Sequence, residues 1–418
     1  MEKNTLLHVK TKKLKQKIWN VLIIFVMMIV MGNKSYAKEI GENGPGNLYA
    51  ESAVLMDGDS GRVLYEKNGH NFMANASTTK ILTCILALEN AKLSDIVTVS
   101  AYAATMPDVQ LHIREGEQYH LEDLLYSLML ESHNDVAVAI AEHVSGSVDG
   151  FSKLMNQKAR EIGCKNSLFL TPNGLDATIT GKGGEERFHG TTAEDLALLM
   201  RYCIMLSTCK EQFIKITSTP SHSFSDMENK RTFVCQNHNS LFNLMEGVIS
   251  GKTGFTSKAG YCYVGAVKQE GKNYILALLA CGWPNHKNYK WEDCGVLMEY
   301  GSSNFYLVDI ESARQRSLDK IIIPVEEAQS EDWKKIVNIP IQIEQRKFDT
   351  VLLKKGEELN LKCEIQSLTA PIKAGQKIGS CKYYINDQLW REEAIFSGKN
   401  VEKIDFIWCI KKIVNKIV

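Results

Sequence analysis

The sequence has no excess of charge of either sign, since 49 Lys and Arg residues balance 49 Asp and Glu residues over 418 positions. Proteins dedicated to nucleic acids usually carry a surplus of positive charge that attracts phosphate, so the balance argues against a nucleic-acid partner. Internal repeats and low-complexity segments are also absent from the sequence. The apolar content of 44% is ordinary, and the length allows two or three globular domains.

Metal-binding motifs are absent as well. The chain contains eleven cysteines and ten histidines, but no Cys-x-x-Cys or His-x-x-x-His spacing, and such spacings are typical of metal ligands. We therefore expect no metal and no other cofactor. The number of cysteines is odd, and most of them stand in apolar stretches such as "ILTCILAL" and "LALLACGW". This pattern is typical of small buried hydrophobic residues rather than of disulfides.

One long apolar run, "WNVLIIFVMMIVMG", stands near the N-terminus, after six lysines and before the small residues Ser35 and Ala37. This order predicts a secretory signal peptide over residues 1–37 and a linker over residues 38–47. An uncleaved membrane anchor is the alternative, because the run is near the lower length limit for a membrane span. No cysteine lies in or just after the run, which argues against a lipoprotein. The protein is expected to be exported.

The hydrophobic patterns predict an α+β domain over residues 48–305. Two strand patterns flank the turn "DGDSG", and a second pair is joined at Glu270 and Gly271. Between them, segments such as "STTKILTCILALENA", "LEDLLYSLMLES" and "TAEDLALLMRYCIML" carry apolar residues at helical spacing. Strands at both ends with helices between them indicate one sheet closed by the two ends of the domain.

The remaining chain predicts a smaller all-β domain over residues 306–396, from short patterns such as "KIVNIPIQI" and "KYYINDQL". It is followed by "NVEKIDFIWCIKKIVNKIV" in residues 397–418, which places isoleucines and Trp408 largely on one side and lysines largely elsewhere. A basic amphipathic helix of this kind is typical of an in-plane membrane anchor. The alternative is a terminal helix packed on the β-domain.

A Ser-x-x-Lys motif provides the first candidate for chemistry. It occurs four times, at Ser35, Ser77, Ser207 and Ser317, so the motif alone is weak. Ser77 differs because it opens an apolar helix after a strand hairpin, which places it one turn from Lys80 on the same side. Apolar neighbours that shield a lysine from water, and a second cation nearby, both lower its pKa. Such a lysine is neutral more readily and can then act as a base. A helix cap is the alternative.

Two later motifs strengthen the Ser77 interpretation. Ser132 and Asn134 lie at a break between two predicted helices, where the hydroxyl can relay a proton and the amide can bind both Lys80 and a substrate. A polar turn with a helix cap is the alternative. The trio Lys252, Thr253 and Gly254 occurs once, at the start of a hairpin. There a peptide substrate can add as a strand and have its carboxylate bound by the lysine and threonine.

Ser-x-x-Lys, Ser-x-Asn and Lys-Thr-Gly in this order resemble the motifs of penicillin-binding proteins and class A β-lactamases. More narrowly, "AVLMDGDSGRVLYEKN", "SHNDVAVAIAEHV", "FLTPNGLD" and "GKTGFTSKAG" resemble the low-molecular-mass penicillin-binding proteins that are D-alanyl-D-alanine carboxypeptidases, peptidase family S11. The resemblance runs from Tyr49 to the C-terminus. It implies a β-lactamase-like or transpeptidase-like domain, an antiparallel sheet with a helical insert, followed by a β-sandwich-like domain and an amphipathic anchor.

The resemblance also implies roles for the motif residues. Ser77 would be the acylated nucleophile, Lys80 its general base, and Ser132 and Asn134 would assist proton transfer and substrate binding. The terminal carboxylate of the substrate would be held by Lys252 and Thr253, beside Gly254, and the oxyanion hole would be formed by the backbone N–H groups of Ser77 and Phe255. Lys80 would be neutral and Lys252 charged.

The chain departs from the family pattern at three positions. His133 replaces a small residue and is expected to face outward, and Glu131 replaces a commoner proline or small residue. Lys290 stands where an arginine is frequent, so its contact with the substrate carboxylate is expected to be weaker or bridged by water.

The implied function is removal of the terminal D-alanine from peptidoglycan pentapeptides, with β-lactam antibiotics as inhibitors, in the biosynthesis of the bacterial cell wall and the maintenance of cell shape. The implied location is the outer face of the cytoplasmic membrane. A β-lactamase is the nearest alternative, with Glu185 and Glu186 as the adjacent glutamates to test. A non-catalytic wall-binding protein is another.

Overall fold

The computed structural model describes residues 44–181, 183–318, 323–332, 335–344 and 348–417. The predicted signal peptide lies outside the described residues, as does most of the predicted linker. From Leu48 onward, the described residues form one compact unit. Its helices, in chain order, are α1 (Lys80–Asn90), α2 (Leu121–Leu130), α3 (Asn134–Ser145), α4 (Val148–Ile162), α5 (Ala193–Arg201), α6 (Lys210–Ser218), α7 (Leu241–Leu244), α8 (Tyr289–Asn304), α9 (Ile310–Leu318) and α10 (Phe406–Ile417).

The strands before α8 form a central sheet and three small two-stranded antiparallel sheets. In chain order they are β1 (Ser52–Asp57), β2 (Val63–Lys67), β3 (Ile96–Thr98), β4 (Gln118–His120), β5 (Thr178–Thr180), β6 (Glu186–Phe188), β7 (Ser221–Ser225), β8 (Thr232–Gln236), β9 (Val248–Thr256), β10 (Gly260–Gln269) and β11 (Lys272–Leu279). The central sheet has the order β2-β1-β11-β10-β9, and all of its pairs are antiparallel. Strand β9 is therefore an edge strand.

The predicted α+β class is confirmed, because strands from the two ends of this region close one sheet around a helical segment. Every residue of β1 is buried, which requires cover on both faces of the strand, and α5 and α8 both pack against the sheet. The turn between β10 and β11 contains Glu270 and Gly271, as the sequence predicted. Both residues have positive φ, 50° and 77°, and this matches the twist of an antiparallel hairpin.

Helix α1 is the centre of the helical segment. Its residues from Lys80 to Leu88 are all buried, because α2, α3, α4, α5 and α6 surround it. A helix that is apolar on all sides is expected in such a position. Its first residue is nevertheless a lysine, so the fold carries an ammonium or amine group into its apolar core.

The chain after α8 is rich in short strands. In chain order they are β12 (Phe305–Asp309), β13 (Pro324–Glu326), β14 (Val337–Asn338), β15 (Ile341–Ile343), β16 (Thr350–Lys354), β17 (Leu359–Ile365), β18 (Leu368–Thr369), β19 (Lys377–Ile385) and β20 (Gln388–Ser397). They form sheets of order β15-β20-β19-β17, β14-β13-β18 and β12-β16. Their shared core contains mainly aliphatic side chains together with Cys381 and Tyr383.

A bidentate ion pair joins the turn after β1 to the C-terminal strands. Arg62 contacts both carboxylate oxygens of Glu357 at 2.6 Å and 2.8 Å. The same arginine donates to the carbonyl oxygen of Leu352, and the Leu352 N–H donates to the buried carboxylate of Asp57. These contacts fix the C-terminal strands to the central sheet.

Candidate active site

Ser77 lies in a short 3₁₀ turn, Ala76–Thr79, that leads directly into α1. Ala76 has a left-handed φ of 48°, which is strained for a residue with a Cβ atom. On the other side of the turn, Gly174 comes so close that a Cβ atom there would lie 2.0 Å from the Ala76 carbonyl oxygen. The Ser77 hydroxyl contacts Lys80 and the Asn173 carbonyl oxygen, so it does not act as the helix cap that was the alternative interpretation.

Lys80 is completely buried behind Ser77. Its Nζ lies 2.8 Å from Ser77 Oγ, 2.8 Å from Asn134 Oδ1 and 2.7 Å from the Asn173 carbonyl oxygen. Burial and then the charge of Lys252 lower the pKa of Lys80 well below its usual value, while Asp135 acts in the opposite direction. The two amide oxygens can only accept hydrogen bonds, so the lone pair of a neutral amine is left for the Ser77 hydroxyl.

Ser132 and Asn134 lie at the junction of α2 and α3. The Asn134 Nδ2 donates to the carbonyl oxygens of Pro107 and Asp108 at 3.1 Å and 3.0 Å, which orients Oδ1 toward Lys80. Asn134 was expected to contact both Lys80 and a substrate, and its contact with Lys80 is present. Ser132 has a left-handed φ of 69°, and its buried Oγ has no hydrogen-bond partner among the described residues.

Lys252, Thr253 and Gly254 lie on β9, next to the serine turn. A Cβ atom at Gly254 would be 2.9 Å from the backbone nitrogens of Ser77 and Thr78, so a glycine is required for this close approach. Lys252 is buried and donates to the Thr253 carbonyl oxygen. Burial lowers the pKa of Lys252 to about 7, although Glu131 acts to raise it.

A cleft of about 480 Å³ is lined by several of the predicted residues. Ser77, Ser132, Thr253, Gly254 and Phe255 line it, while Lys80, Asn134 and Lys252 are not part of its lining. Its walls therefore include the buried Ser132 hydroxyl, which has no hydrogen-bond partner in the described part of the chain, and residues of the edge strand β9, together with Ser77. The arrangement suits an extended peptide whose reacting carbonyl group is placed at Ser77.

Lys290 also lines this cleft, at the start of α8. Its ammonium lies over the rings of Tyr261 and Trp291, 4.7 Å from each centroid, and it donates to the Lys287 carbonyl oxygen. Burial lowers the pKa of Lys290. The aromatic contacts hold the charge at the wall of the cleft.

The expectation that His133 faces outward is wrong. The side chain is buried, and its Nδ1 lies 2.7 Å from Ser127 Oγ. Burial lowers its pKa to about 4, so the ring is neutral at pH 7. Glu131, the other departure from the family pattern, accepts from the Gln236 N–H and pairs with His238 Nε2 at 2.5 Å. His238 lines the cleft.

The sequence patterns did not indicate the contacts of His189, which support the turn that carries Ser77 and Lys80. His189 Nδ1 accepts from the Leu170 N–H at 3.0 Å, so its Nε2 carries the hydrogen and donates to Thr79 Oγ1 at 2.8 Å. Burial lowers the pKa of His189 to about 3. This neutral ring joins Thr79, directly before Lys80, to the loop that contains Leu170 and Asn173. For Leu170 and Asn173 the only signal was the segment "FLTPNGLD", quoted for the resemblance without roles for its residues, and for His189 there was no signal.

The glutamate pair considered for a β-lactamase lies elsewhere. Glu185 and Glu186 are exposed, and Glu186 begins β6 in the hairpin with β5. Neither lines the cleft. Among the described residues, no group of three or more His, Cys, Asp or Glu side chains is arranged to hold a metal ion.

Comparison with known proteins agrees with this geometry. A family model described as D-alanyl-D-alanine carboxypeptidase, of the S11 peptidases, matches residues 38–281, and one described as penicillin-binding protein 5, C-terminal domain, matches residues 326–403. The D-alanyl-D-alanine carboxypeptidase DacF of Bacillus subtilis is 28% identical over 407 residues, covering 95% of this chain and 97% of its own length. DacB2 of Mycobacterium tuberculosis is 31% identical over 257 residues, covering 60% of this chain and 82% of its own length.

The fold is similar to solved structures of the same group. Penicillin-binding protein 5 of Haemophilus influenzae superposes with a TM-score of 0.67 at 24% identity, and the match covers 86% of this chain and 99% of the other. The fold class, an α+β domain followed by an all-β domain, is confirmed by this likeness, and the family resemblance is confirmed by the family model. The chain belongs to the S11 family of D-alanyl-D-alanine carboxypeptidases, which are low-molecular-mass penicillin-binding proteins.

Proposed function

We propose that this protein removes the terminal D-alanine from peptidoglycan pentapeptides through an acyl-enzyme on Ser77. One observation carries the assignment: the buried Lys80 Nζ contacts two oxygens that can only accept and one hydroxyl, that of Ser77, which can donate. A neutral amine in that position is a base directed at one proton. The family membership of the chain gives the substrate class.

Acylation follows from these contacts. The Ser77 proton passes to Lys80 Nζ while Oγ attacks the carbonyl carbon of the penultimate D-alanine. The oxyanion forms between the backbone N–H groups of Ser77 and Phe255. When the C–N bond breaks, the leaving nitrogen takes a proton from Lys80 through the hydroxyl of Ser132, whose oxygen is buried and partnerless among the described residues. An ester on Ser77 and free D-alanine result.

Deacylation uses the same base. Lys80 takes a proton from a water molecule, which attacks the ester carbonyl carbon. The protonated Lys80 gives this proton to Ser77 Oγ as the C–O bond breaks, and the shortened peptide leaves as a carboxylic acid. A β-lactam forms the same ester, but its leaving nitrogen stays attached through the opened ring. We therefore expect β-lactams to acylate Ser77 and the resulting ester to be hydrolysed slowly.

Substrate binding uses the outer edge of β9, the last strand of the central sheet as described. The peptide lies alongside this strand, and its carboxylate is held by Lys252 and Thr253, with Lys290 as a further positive charge in the cleft wall. Gly254 lets the strand and the serine turn approach each other, so that bound peptide and Ser77 Oγ meet.

Replacement of Ser77 by alanine should abolish both labelling by a fluorescent penicillin and release of D-alanine from a pentapeptide. Ser302→Ala, in the partly exposed Ser-x-Asn sequence at the end of α8, is the matched control and should retain both. Survival of either activity in Ser77→Ala would contradict the proposal. Rapid turnover of nitrocefin would favour a β-lactamase, and absence of labelling in the unmodified protein would favour a wall-binding role without catalysis.

We also propose that α10 anchors the exported protein in the plane of the membrane, at the outer face of the cytoplasmic membrane. Most of its apolar side chains are exposed, with Phe406 79% and Ile407 63% accessible, while Trp408 is partly buried. Lysines lie on the same helix, and Lys412 contacts the Glu331 carbonyl oxygen. Such a helix binds anionic lipid through its apolar face and its positive charge. Cell-wall substrate would then be cut close to the membrane, in peptidoglycan biosynthesis and the maintenance of cell shape.

No helix among the described residues has both the length and the apolar character needed to cross a bilayer. The anchor is tested with vesicles that contain anionic phospholipid. Ile410→Glu should release the protein from the vesicles, because it places a charge on the apolar face. Asn415→Glu adds the same charge at a polar position and should retain most of the binding. Equal loss in both variants would contradict the anchor and would indicate attraction by net charge alone.

A further inference from the structure

Two cysteines face each other in the C-terminal sheet. Cys363 on β17 and Cys381 on β19 are directly opposite in the antiparallel register, so both side chains lie on the same face of the sheet. Their sulfur atoms are in contact, at 2.6 Å. Among the cysteines of the described ranges, no other pair shares a hydrogen bond.

The backbone geometry at this position permits a covalent link. Directly opposite residues of an antiparallel pair have Cα atoms about 4.5–5.5 Å apart, and disulfides span about 4.4–6.8 Å between Cα atoms. The strands therefore need no rearrangement to accommodate the bond. Cys381 is fully buried in the core of the C-terminal strands, whereas Cys363 is only half-buried, so one of the two thiols is open to a reagent.

The position of β17 gives such a bond a structural consequence. Strand β17 is the outer strand of its four-stranded sheet and has β19 as its neighbour. An edge strand is held on one side only and opens more readily than an inner strand. A link between Cys363 and Cys381 would add a covalent bond to the backbone hydrogen bonds that join the edge strand to the inner strand.

We propose that Cys363 and Cys381 are a reversible disulfide site that fastens the edge strand β17 to β19. The reaction is thiol–disulfide exchange with an external disulfide as oxidant. The Cys363 thiolate attacks one sulfur of that disulfide, forms a mixed disulfide and releases one thiolate. Cys381 then loses its proton and attacks the Cys363 sulfur, which releases the second thiolate. Two S–H bonds are lost, and the external disulfide gains the two electrons and two protons.

The surroundings of the two sulfurs support this order of attack. The hydrogen bond with Cys381 lowers the pKa of Cys363, which favours the thiolate that begins the exchange. By contrast, burial raises the pKa of Cys84, Cys203 and Cys294, so these thiols remain protonated in the core. The site shares no residue with the cleft at Ser77, and it stands whether or not the proposed catalytic function is correct.

Peptide mapping of the full-length chain tests the site without any substitution. The protein is incubated with oxidised glutathione, free thiols are blocked with iodoacetamide, and the digest is analysed by mass spectrometry without reduction. We expect one linked pair of peptides that contain Cys363 and Cys381, and its disappearance after treatment with dithiothreitol. Recovery of both cysteines as separately alkylated peptides, or of Cys363 bound only to glutathione, would overturn the proposal.

Hydrogen exchange tests the consequence for the edge strand. Oxidation should slow amide exchange in β17 by roughly tenfold or more, because the linked strand opens less often. Cys363→Ser should remove this difference between the oxidised and reduced protein. Cys409→Ser, which changes another partly buried cysteine, should leave it intact. Equal exchange of β17 before and after oxidation would contradict the fastening role.

Discussion

The molecule buries basic side chains in two regions whose surroundings differ. In the C-terminal strands, Arg314 contacts the carboxylates of Asp349 and Glu393 at 2.9 Å and 3.1 Å, and Arg391 contacts the same two carboxylates. Lys80 and Lys252 are buried to a similar degree beside the cleft. No carboxylate of the described residues lies within ion-pair distance of either lysine, and their contacts are with neutral oxygens.

This difference separates a structural charge from a reactive one. Burial opposes the charge of Arg314, but hydrogen bonds with Asp349 and Tyr383 outweigh it and raise its pKa. At Lys80 burial also opposes the charged form, but no ion pair with a described residue compensates for it, and the pKa of Lys80 falls. A buried ion pair is costly to break, whereas an unpaired buried lysine loses its proton and becomes a base. The molecule thus uses burial for rigidity in one region and for chemistry in the other.

The largest effect should come from Lys80→Met. Without the base, we expect the second-order rate of acylation by a fluorescent penicillin to fall by about 10²–10⁴-fold. The free energy of unfolding should stay the same or rise, because the replaced group is buried without an opposite charge. Lys153→Met, which changes an exposed lysine on α4, is the control. An acylation rate close to that of the control would show that Lys80 is not the base.

For Glu393→Ala we expect a loss of stability with no loss of acylation. It leaves Arg314 and Arg391 buried with fewer partners, so the free energy of unfolding measured in urea should fall by about 3–5 kcal/mol. Below the unfolding transition, the rate of penicillin acylation should be unchanged. The exposed neighbour Glu392 supplies the control Glu392→Ala, which should change stability by no more than about 0.5 kcal/mol. Loss of acylation in folded Glu393→Ala would remove the distinction between the two regions.

His189 tests how the cleft is held in place. In His189→Ala, Thr79 Oγ1 and the Leu170 N–H lose their shared partner, and the turn that carries Ser77 and Lys80 should shift. Such misplacement can lower kcat/KM for D-alanine release by up to about 10²-fold. His189→Gln retains a donor for Thr79 and should recover part of the rate. The exposed His120 gives the control His120→Ala, and an effect limited to thermal stability would contradict the positioning role.

The smallest effect concerns the pH dependence of substrate binding. The pKa of Lys252 is about 7, so the lysine is charged below that pH and becomes neutral above it. Binding of a carboxylate should therefore weaken as the pH rises through 7, and KM should increase. In Glu131→Gln the increase should begin at a lower pH, because the carboxylate that raises the pKa of Lys252 is gone.

Two controls define this experiment. Glu115→Gln changes an exposed glutamate and should keep the profile of the unmodified protein. A substrate whose terminal carboxylate is amidated should show no alkaline increase in KM. The same profile in Glu131→Gln as in the unmodified protein would exclude an electrostatic influence of Glu131 on Lys252.

The sequence predicted the parts of the site that depend on local spacing. Ser77 and Lys80 are one turn apart, and Lys252, Thr253 and Gly254 are consecutive, so local order along the chain already places them together. The sheet closed by distant strands was also predicted, because strand patterns stand at both ends of the helical segment. These inferences needed no knowledge of long-range packing.

Other features depend on packing that local patterns do not contain. The Asn173 carbonyl oxygen is a backbone group. Every residue has such a group, so the residue type at this position does not predict the contact with Lys80. His133 was wrongly predicted to face outward, because the residues next to it in the sequence do not indicate its contact with the Ser127 hydroxyl. The pairing of Cys363 with Cys381 requires the register of β17 and β19, and the sequence alone does not fix that register.

The protonation state of Lys80 is the central claim, and NMR of protein labelled with ¹³Cε-lysine measures it directly. A difference between the spectra of the unmodified protein and of Lys80→Met assigns the resonance. We predict that this resonance titrates well below the exposed lysines, so that the amine is neutral at neutral pH. Titration together with the exposed lysines, near the usual lysine pKa of about 10.4, would contradict the account.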